Sequence, residues 1–210
     1  LNNPGDPVTN LVVSDNLPSQ VSFVSCAATL SGVCAGAGSN RTITFTGAGK
    51  LVRTLVDNPT GDLVTFPVLA ITADNVTLRN VQIVGPGGVC DVPRPGGGPA
   101  FRALYDVRYE ESAGITLDGA TNVRIEGGNI SNVRGDGVRI FFNPRTSPAT
   151  PSSHVTISDL TTRCVGRAAI ANISSSDVTV NRGSYSLSGF WTFNAEPFNT
   201  QAVSGYTINQ

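Results

Sequence analysis

Methionine is absent from the 210 residues, and lysine, histidine and tryptophan occur once each, as Lys50, His154 and Trp191. A single histidine, with no Cys-x-x-Cys among four cysteines, excludes the usual zinc-site patterns. No metal ion and no cofactor is expected. Charged residues are only 14% of the chain and the formal net charge is −1. Nothing in that balance draws the protein to phosphate backbones, so nucleic acid is not an expected partner. No apolar run approaches the roughly 18 residues that span a bilayer, so membrane insertion within this chain is not expected. The chain opens on Leu1 without an initiator methionine, and Leu1-Asn-Asn-Pro begins no basic-then-apolar signal segment, which marks it as processed or a fragment. The Gly-rich stretch lacks Gly-Lys-Ser/Thr and is not a phosphate cradle.

Against these absences stands a repeated phrase. Asn75-Val-Thr-Leu, Asn122-Val-Arg-Ile, His154-Val-Thr-Ile, Asp177-Val-Thr-Val and, more weakly, Gly205-Tyr-Thr-Ile share the period-2 pattern of a strand with one buried face. A second phrase precedes it by seven residues, as Ile115-Thr-Leu117 before Asn122 and Ile170-Ala-Asn172 before Asp177. Its copies begin at Ile115, Val138, Ile170 and Trp191, at gaps of 23, 32 and 21 residues. If Val68 starts an earlier copy, the gap before Ile115 is 47, which is two coils or one coil with a large insertion. A period near 21 to 23, lengthened where Pro, Gly and Ser cluster, is that of a solenoid with insertions at its corners. The insertions are Gly85 to Ser112 and Phe142 to Ser153. Leucine-rich repeats are excluded, because the fixed leucines and the helical half are missing.

The phrase Asn122-Val-Arg-Ile-Glu-Gly-Gly-Asn-Ile-Ser-Asn and the late run Gly189-Phe-Trp-Thr-Phe-Asn-Ala-Glu-Pro resemble the right-handed parallel β-helix, or pectate-lyase-like, family over about residues 68–210. The expected fold class is therefore all-β, a short right-handed parallel β-helix of about five or six coils. Residues 1–46 lack the coil phrase and read as antiparallel strands with tight turns. The run from Asp6 to Cys26 resembles an Ig-like repeat, of formally unknown function, found in tandem on large bacterial and archaeal surface proteins. The expected organisation is a partial Ig-like β-sandwich segment over 1–46, connecting strands over 47–67, and the β-helix over 68–210. A sandwich this small needs support. It either borrows strands from Lys50 to Val56 and Asp62 to Thr72, caps the solenoid, or takes a strand from a neighbouring chain; capping is preferred, because an open solenoid end exposes unpaired backbone.

Cys26 and Cys34 flank Leu30-Ser-Gly-Val and are expected to form a hairpin disulfide; Cys90 and Cys164 either pair or remain buried free thiols. An even count in a Ser/Thr/Gly-rich β protein favours an extracellular or cell-surface setting.

The β-helix resemblance implies that a polysaccharide lyase would need acidic residues for calcium and an arginine or lysine as base. Candidate catalytic residues are Asp136, Arg139, Arg167 and Glu196, with Arg134 and Arg163 also in the coils. Asp136, in Arg134-Gly-Asp-Gly, reads first as a turn residue bonding locally. Glu196 is a catalytic acid or, preferably, a polar ladder residue. His154 holds the place of Asn75, Asn122 and Asp177 and reads as a corner residue. The polygalacturonase signatures Asp-Asp and Gly-His-Gly are absent. Trp191, Phe190, Phe193 and Phe141 either stack on sugar rings or fill the core. The expected function is a non-enzymatic extracellular structural or adhesive module, self-associating or joined to neighbouring surface-protein domains and able to form fibres. The alternative is a carbohydrate-active β-helix that cleaves or binds acidic polysaccharide.

Overall fold

The computed structural model describes residues 32–35, 41–45, 51–52, 67–85, 111–143, 148–198 and 202–209. All regular structure among them is β-strand. The smaller sheet has five strands, β4 (Leu69–Ile71), β6 (Ile115–Asp118), β8 (Val138–Phe141), β10 (Ala168–Ile173) and β12 (Trp191–Glu196), in that spatial order and all parallel. The larger, eight-stranded sheet runs β1 (Gly32–Ala35), β2 (Arg41–Phe45), β5 (Val76–Val84), β7 (Thr121–Val133), β9 (Ser153–Val165), β11 (Ser176–Ser188) and β13 (Ser204–Asn209), with β3 (Leu51–Val52) beside β2 on the same edge of β5. Only the β1–β2 pair is antiparallel; β2 lies parallel to β5. From β4 onward the chain alternates between the sheets and adds one strand to each per turn.

The period-2 phrase accounts for this directly. Apolar residues at alternate positions point inward and stack on their equivalents in the next turn. Val123, Val155 and Val178 form one inner row that ends in Tyr206. Ile115, Val138 and Ile170 form a second that ends in Phe193. Ile83, Ile130 and Thr162 form a third that ends in Tyr185. The aliphatic members are buried, and each buried Val or Ile contributes about 1.5–3 kcal/mol. Three rows thus finish on aromatic rings, with Tyr185 and Phe193 edge to face at 5.0 Å between centroids.

The 13-residue strands are not straight. β9 bends at His154, Asp159 and Cys164, and β11 at Asp177, Arg182 and Leu187, all with φ between 44° and 61°. β7 bends at Asn122, Gly127 and Asn132. Left-handed residues recur every five positions, and the register stacks them into ladders. Asn, Asp, His and Gly tolerate that backbone best, which explains why the repeated phrase starts with Asn, His, Asp or Gly. His154 is therefore a corner residue, as its place in the phrase implies.

Three details of the repeat differ from the sequence reading. Leu69, not Val68, faces Ile115. β4 pairs directly with β6 and β5 with β7, so the gap of 47 is a single turn carrying a large insertion. Phe193, not Trp191, faces Ile170, which makes that turn 23 residues long. The larger sheet also reaches back beyond residue 68, through β2 and β3. The rest of 1–67, most of the first insertion and residues 144–147 lie outside the described residues.

Candidate functional site

The four candidate residues converge on the outer side of the smaller sheet. Asp136 lies two residues before β8, Arg167 stands immediately before β10, and Glu196 ends β12. In-register stacking of β8 and β10 sets Asp136 beside Arg167, 31 positions apart, whereas Glu196, 29 positions on and in register with Ile173 at the far end of β10, is met through the length of the Arg167 side chain. Arg167 Nη1 donates to Asp136 Oδ2 at 3.0 Å, and Nη2 donates to Glu196 Oε1 at 2.6 Å. The backbone N–H of Ala168 donates to Asp136 Oδ1 at 3.0 Å. Asn194 Nδ2 donates to the second oxygen of Glu196 at 3.0 Å. Side-chain exposure is 0% for Asp136, 4% for Arg167 and 37% for Glu196.

Arg139 projects from the outer face of β8. Its guanidinium carbon lies 4.3 Å from the centre of the Phe141 ring, and Nη1 is 3.6 Å from the exposed Glu111. Its Nε is buried without a hydrogen-bond partner.

Burial pushes the Asp136 carboxyl up to about 6, against the opposing pull of Arg167, the Ala168 N–H and Arg139. Burial also acts to raise Glu196, but there the Asn194 and Arg167 hydrogen bonds, with the charges of Arg167 and Arg139, outweigh it and hold the carboxyl below its ordinary value. The more exposed carboxylate is thus the more firmly ionised.

This geometry does not favour proton transfer to a polymer. A glycosidase needs one protonated carboxyl and one carboxylate facing each other across the scissile bond. Here Asp136 is out of reach of any substrate, and one guanidinium occupies the space between the two carboxyls. A lyase base must meet the proton it removes, yet Arg167 is enclosed between two anions. The arrangement is a strut linking three successive turns.

The local-turn reading of Asp136 is corrected accordingly, since its carboxylate bonds across the turn to Arg167 and Ala168 rather than within its own loop. The signal lay in the spacing: Asp136 precedes Val138 by two residues, as Ala168 precedes Ile170, so stacking the phrases places Asp136 beside Arg167. Arg163 sits on β9 in the other sheet, exposed and apart from the cluster. His154 Nε2 is 3.6 Å from Asp177 Oδ2 at an exposed corner.

The aromatic candidates divide. Phe193 turns inward against the core. Phe190 and Trp191 are exposed, their ring centres 4.9 Å apart, with the Arg167 guanidinium 5.8 Å from the Trp191 ring. Phe141 is half-buried and packs with Phe142 and Phe198. Cys164 is disulfide-bonded; Cys26, Cys90 and the side chain of Cys34 lie outside the described residues, and with them the expected pairings. Among the described residues no group of three His, Cys, Asp or Glu side chains is placed to hold a metal ion, and no helix is long and apolar enough to cross a membrane. Comparison of the chain with family models, with curated proteins and with solved structures finds no match.

Proposed function

We propose that the chain is a short right-handed parallel β-helix that serves as a non-enzymatic structural module, extracellular or on a cell surface. The alternation of parallel strands between two sheets supports the coil, and crossovers between parallel strands are right-handed in about 98% of cases. The observation that carries the non-enzymatic reading is the enclosure of Arg167 between Asp136 and Glu196. The charges that catalysis would need are spent on joining turns. The antiparallel β1–β2 pair, with β2 continuing the larger sheet, supports residues 1–46 as an Ig-like cap. The disulfide-bonded Cys164 supports an oxidising compartment.

The test is incubation of the unreduced protein with a panel of uronate and neutral polysaccharides, followed by assay for new reducing ends and unsaturated uronate products. No product is expected from any polymer. Cleavage that disappears in Glu196→Gln would overturn the reading.

A second reading, a sugar-binding surface, has one observation in its favour: the exposed Phe190–Trp191 pair beside Arg167. It requires Trp191→Ala to abolish retardation of the protein in polysaccharide-containing gels.

A further inference from the structure

Arg139 stands next to the strut between turns and is not part of it. Its neighbours on β8, Val138 and Ile140, turn into the core, so Arg139 points outward. A guanidinium carries five N–H donors, yet among the described residues none accepts a hydrogen bond from this one. Nε is buried without a partner, although the side chain is only 12% exposed. Register sets Thr116 beside Arg139 on the preceding turn and Ala171 beside it on the following turn. Thr116 is 3% exposed, and its Oγ1 is likewise buried without a partner. Ala171 adds nothing polar. Two adjacent polar side chains, both buried and both unmatched, are costly to a fold that draws no function from them.

The nearby carboxylates do not match these donors. Glu111 Oε1 stands 3.6 Å from Nη1, and its side chain is 63% exposed, whereas a closed guanidinium–carboxylate bond measures about 2.7–2.9 Å. Asp136 and Glu196 feel the charge of Arg139, but their hydrogen bonds go to Arg167, Ala168 and Asn194.

We propose that Arg139, with Thr116 beside it, is a recognition site for one carboxylate group of a ligand, bound in the place that Glu111 approaches. This adds a binding role to the structural module and calls for no bond-making chemistry.

Three observations select the ligand group. The Phe141 ring lies 4.3 Å from the guanidinium carbon and fixes the plane of the fork, and a planar carboxylate meets such a fork with two parallel hydrogen bonds. The chain itself brings a carboxylate, that of Glu111, to this fork and leaves it loosely held. The charges of Asp136 and Glu196 close by disfavour a doubly charged anion, so a single carboxylate suits the place better than phosphate. The mounting is rigid as well, because β8 is paired on both edges, with β6 and β10.

The test is an NMR titration of the unreduced, isotope-labelled chain, read at the Nε–H of Arg139 and at the backbone N–H of Phe141. The probes are acetate, glucuronate and a glutamate blocked at both backbone ends, which present the bare group, a sugar acid and a protein side chain. Acetamide and sodium chloride are the controls. All three carboxylates are expected to shift both signals saturably, with dissociation constants on the order of millimolar, and the tightest of them names the source. Glu111→Gln removes the competing carboxylate and should tighten binding about twofold to fivefold. Arg139→Lys keeps the charge but loses the fork, and should weaken binding at least about tenfold, read at Phe141. The absence of a saturable shift below about 100 millimolar, equal shifts from acetamide or chloride, or weaker binding in Glu111→Gln would each overturn the site and leave Arg139 as packing on Phe141. If Arg139→Lys does not fold, Glu111→Gln, at an exposed position, decides. Polymer cleavage, by contrast, would remove the module reading and leave this site untouched.

Discussion

Arg167 is the side chain on which the outer face of the smaller sheet depends, because among the described residues it alone joins carboxylates from the turns before and after its own. Replacing it with methionine leaves Asp136 buried without its guanidinium. Arg167→Met is expected to lose about 3–5 kcal/mol of stability, and adding Asp136→Leu should recover most of that loss; urea unfolding of the single and double variants measures both. The titration of Asp136 has a defined sign. Its folded value, about 6, lies above the ordinary 3.8, so the fold favours the protonated acid. The associated stability is fully present below about pH 3.8, declines as pH rises through 6, and is gone above it. The difference is on the order of 3 kcal/mol. Asp136→Asn should remove this slope, so the gap between variant and native melting temperatures should change between pH 4 and 6.5 and then level off. Glu196, held low, acts oppositely and loses its contribution as pH falls through its folded value. The sequence named all four members of the cluster, but as a candidate catalytic set. Composition does not say whether a carboxylate meets solvent or a guanidinium, and only stacking of the turns does.

At the scale of the element, the left-handed corners set the length of each straight segment. His154 shares its ladder with Asn122 and Asp177 and has φ 54°. His154→Asn should leave stability nearly unchanged. His154→Val, which puts a β-branched residue in that backbone, should cost about 1–2 kcal/mol, read as a lower urea midpoint with an unaltered slope. Glycine matters where turns press together. A Cβ on Gly166 would stand 1.9 Å from the Arg134 carbonyl oxygen, and one on Gly189 equally close to that of Gly166. Neither neighbour is a side chain that can swing aside, so Gly166→Ala should destabilise by about 1–3 kcal/mol or more, measured in the same way. The strands were legible in the sequence because their alternation repeats in five phrases. The one-residue slip at Leu69 was not, since counting back seven from Asn75 assumes a connection as long as its homologue between β6 and β7. The two-residue slip at Trp191 arose because Phe193, not the larger ring, turns inward.

For the whole molecule, the turns share one continuous core but not one level of support. β7 and β9 are paired on both edges along most of their length, while among the described residues β12 and β13 are paired on one. Native-state hydrogen exchange should therefore be slowest in 123–133 and 155–165 and fastest in 191–196. Uniform protection through the last turn would contradict that gradient for β12. The three inner rows that end on Tyr185, Phe193 and Tyr206 also give the stack a built-in optical label. The sole tryptophan and two of the four tyrosines stand in the turn those rings close, so ultraviolet emission reports that end of the molecule and circular dichroism reports its whole length. Heated together, the two signals would coincide if the turns melt as one unit, and the emission would change first if the stack unzips from its aromatic end.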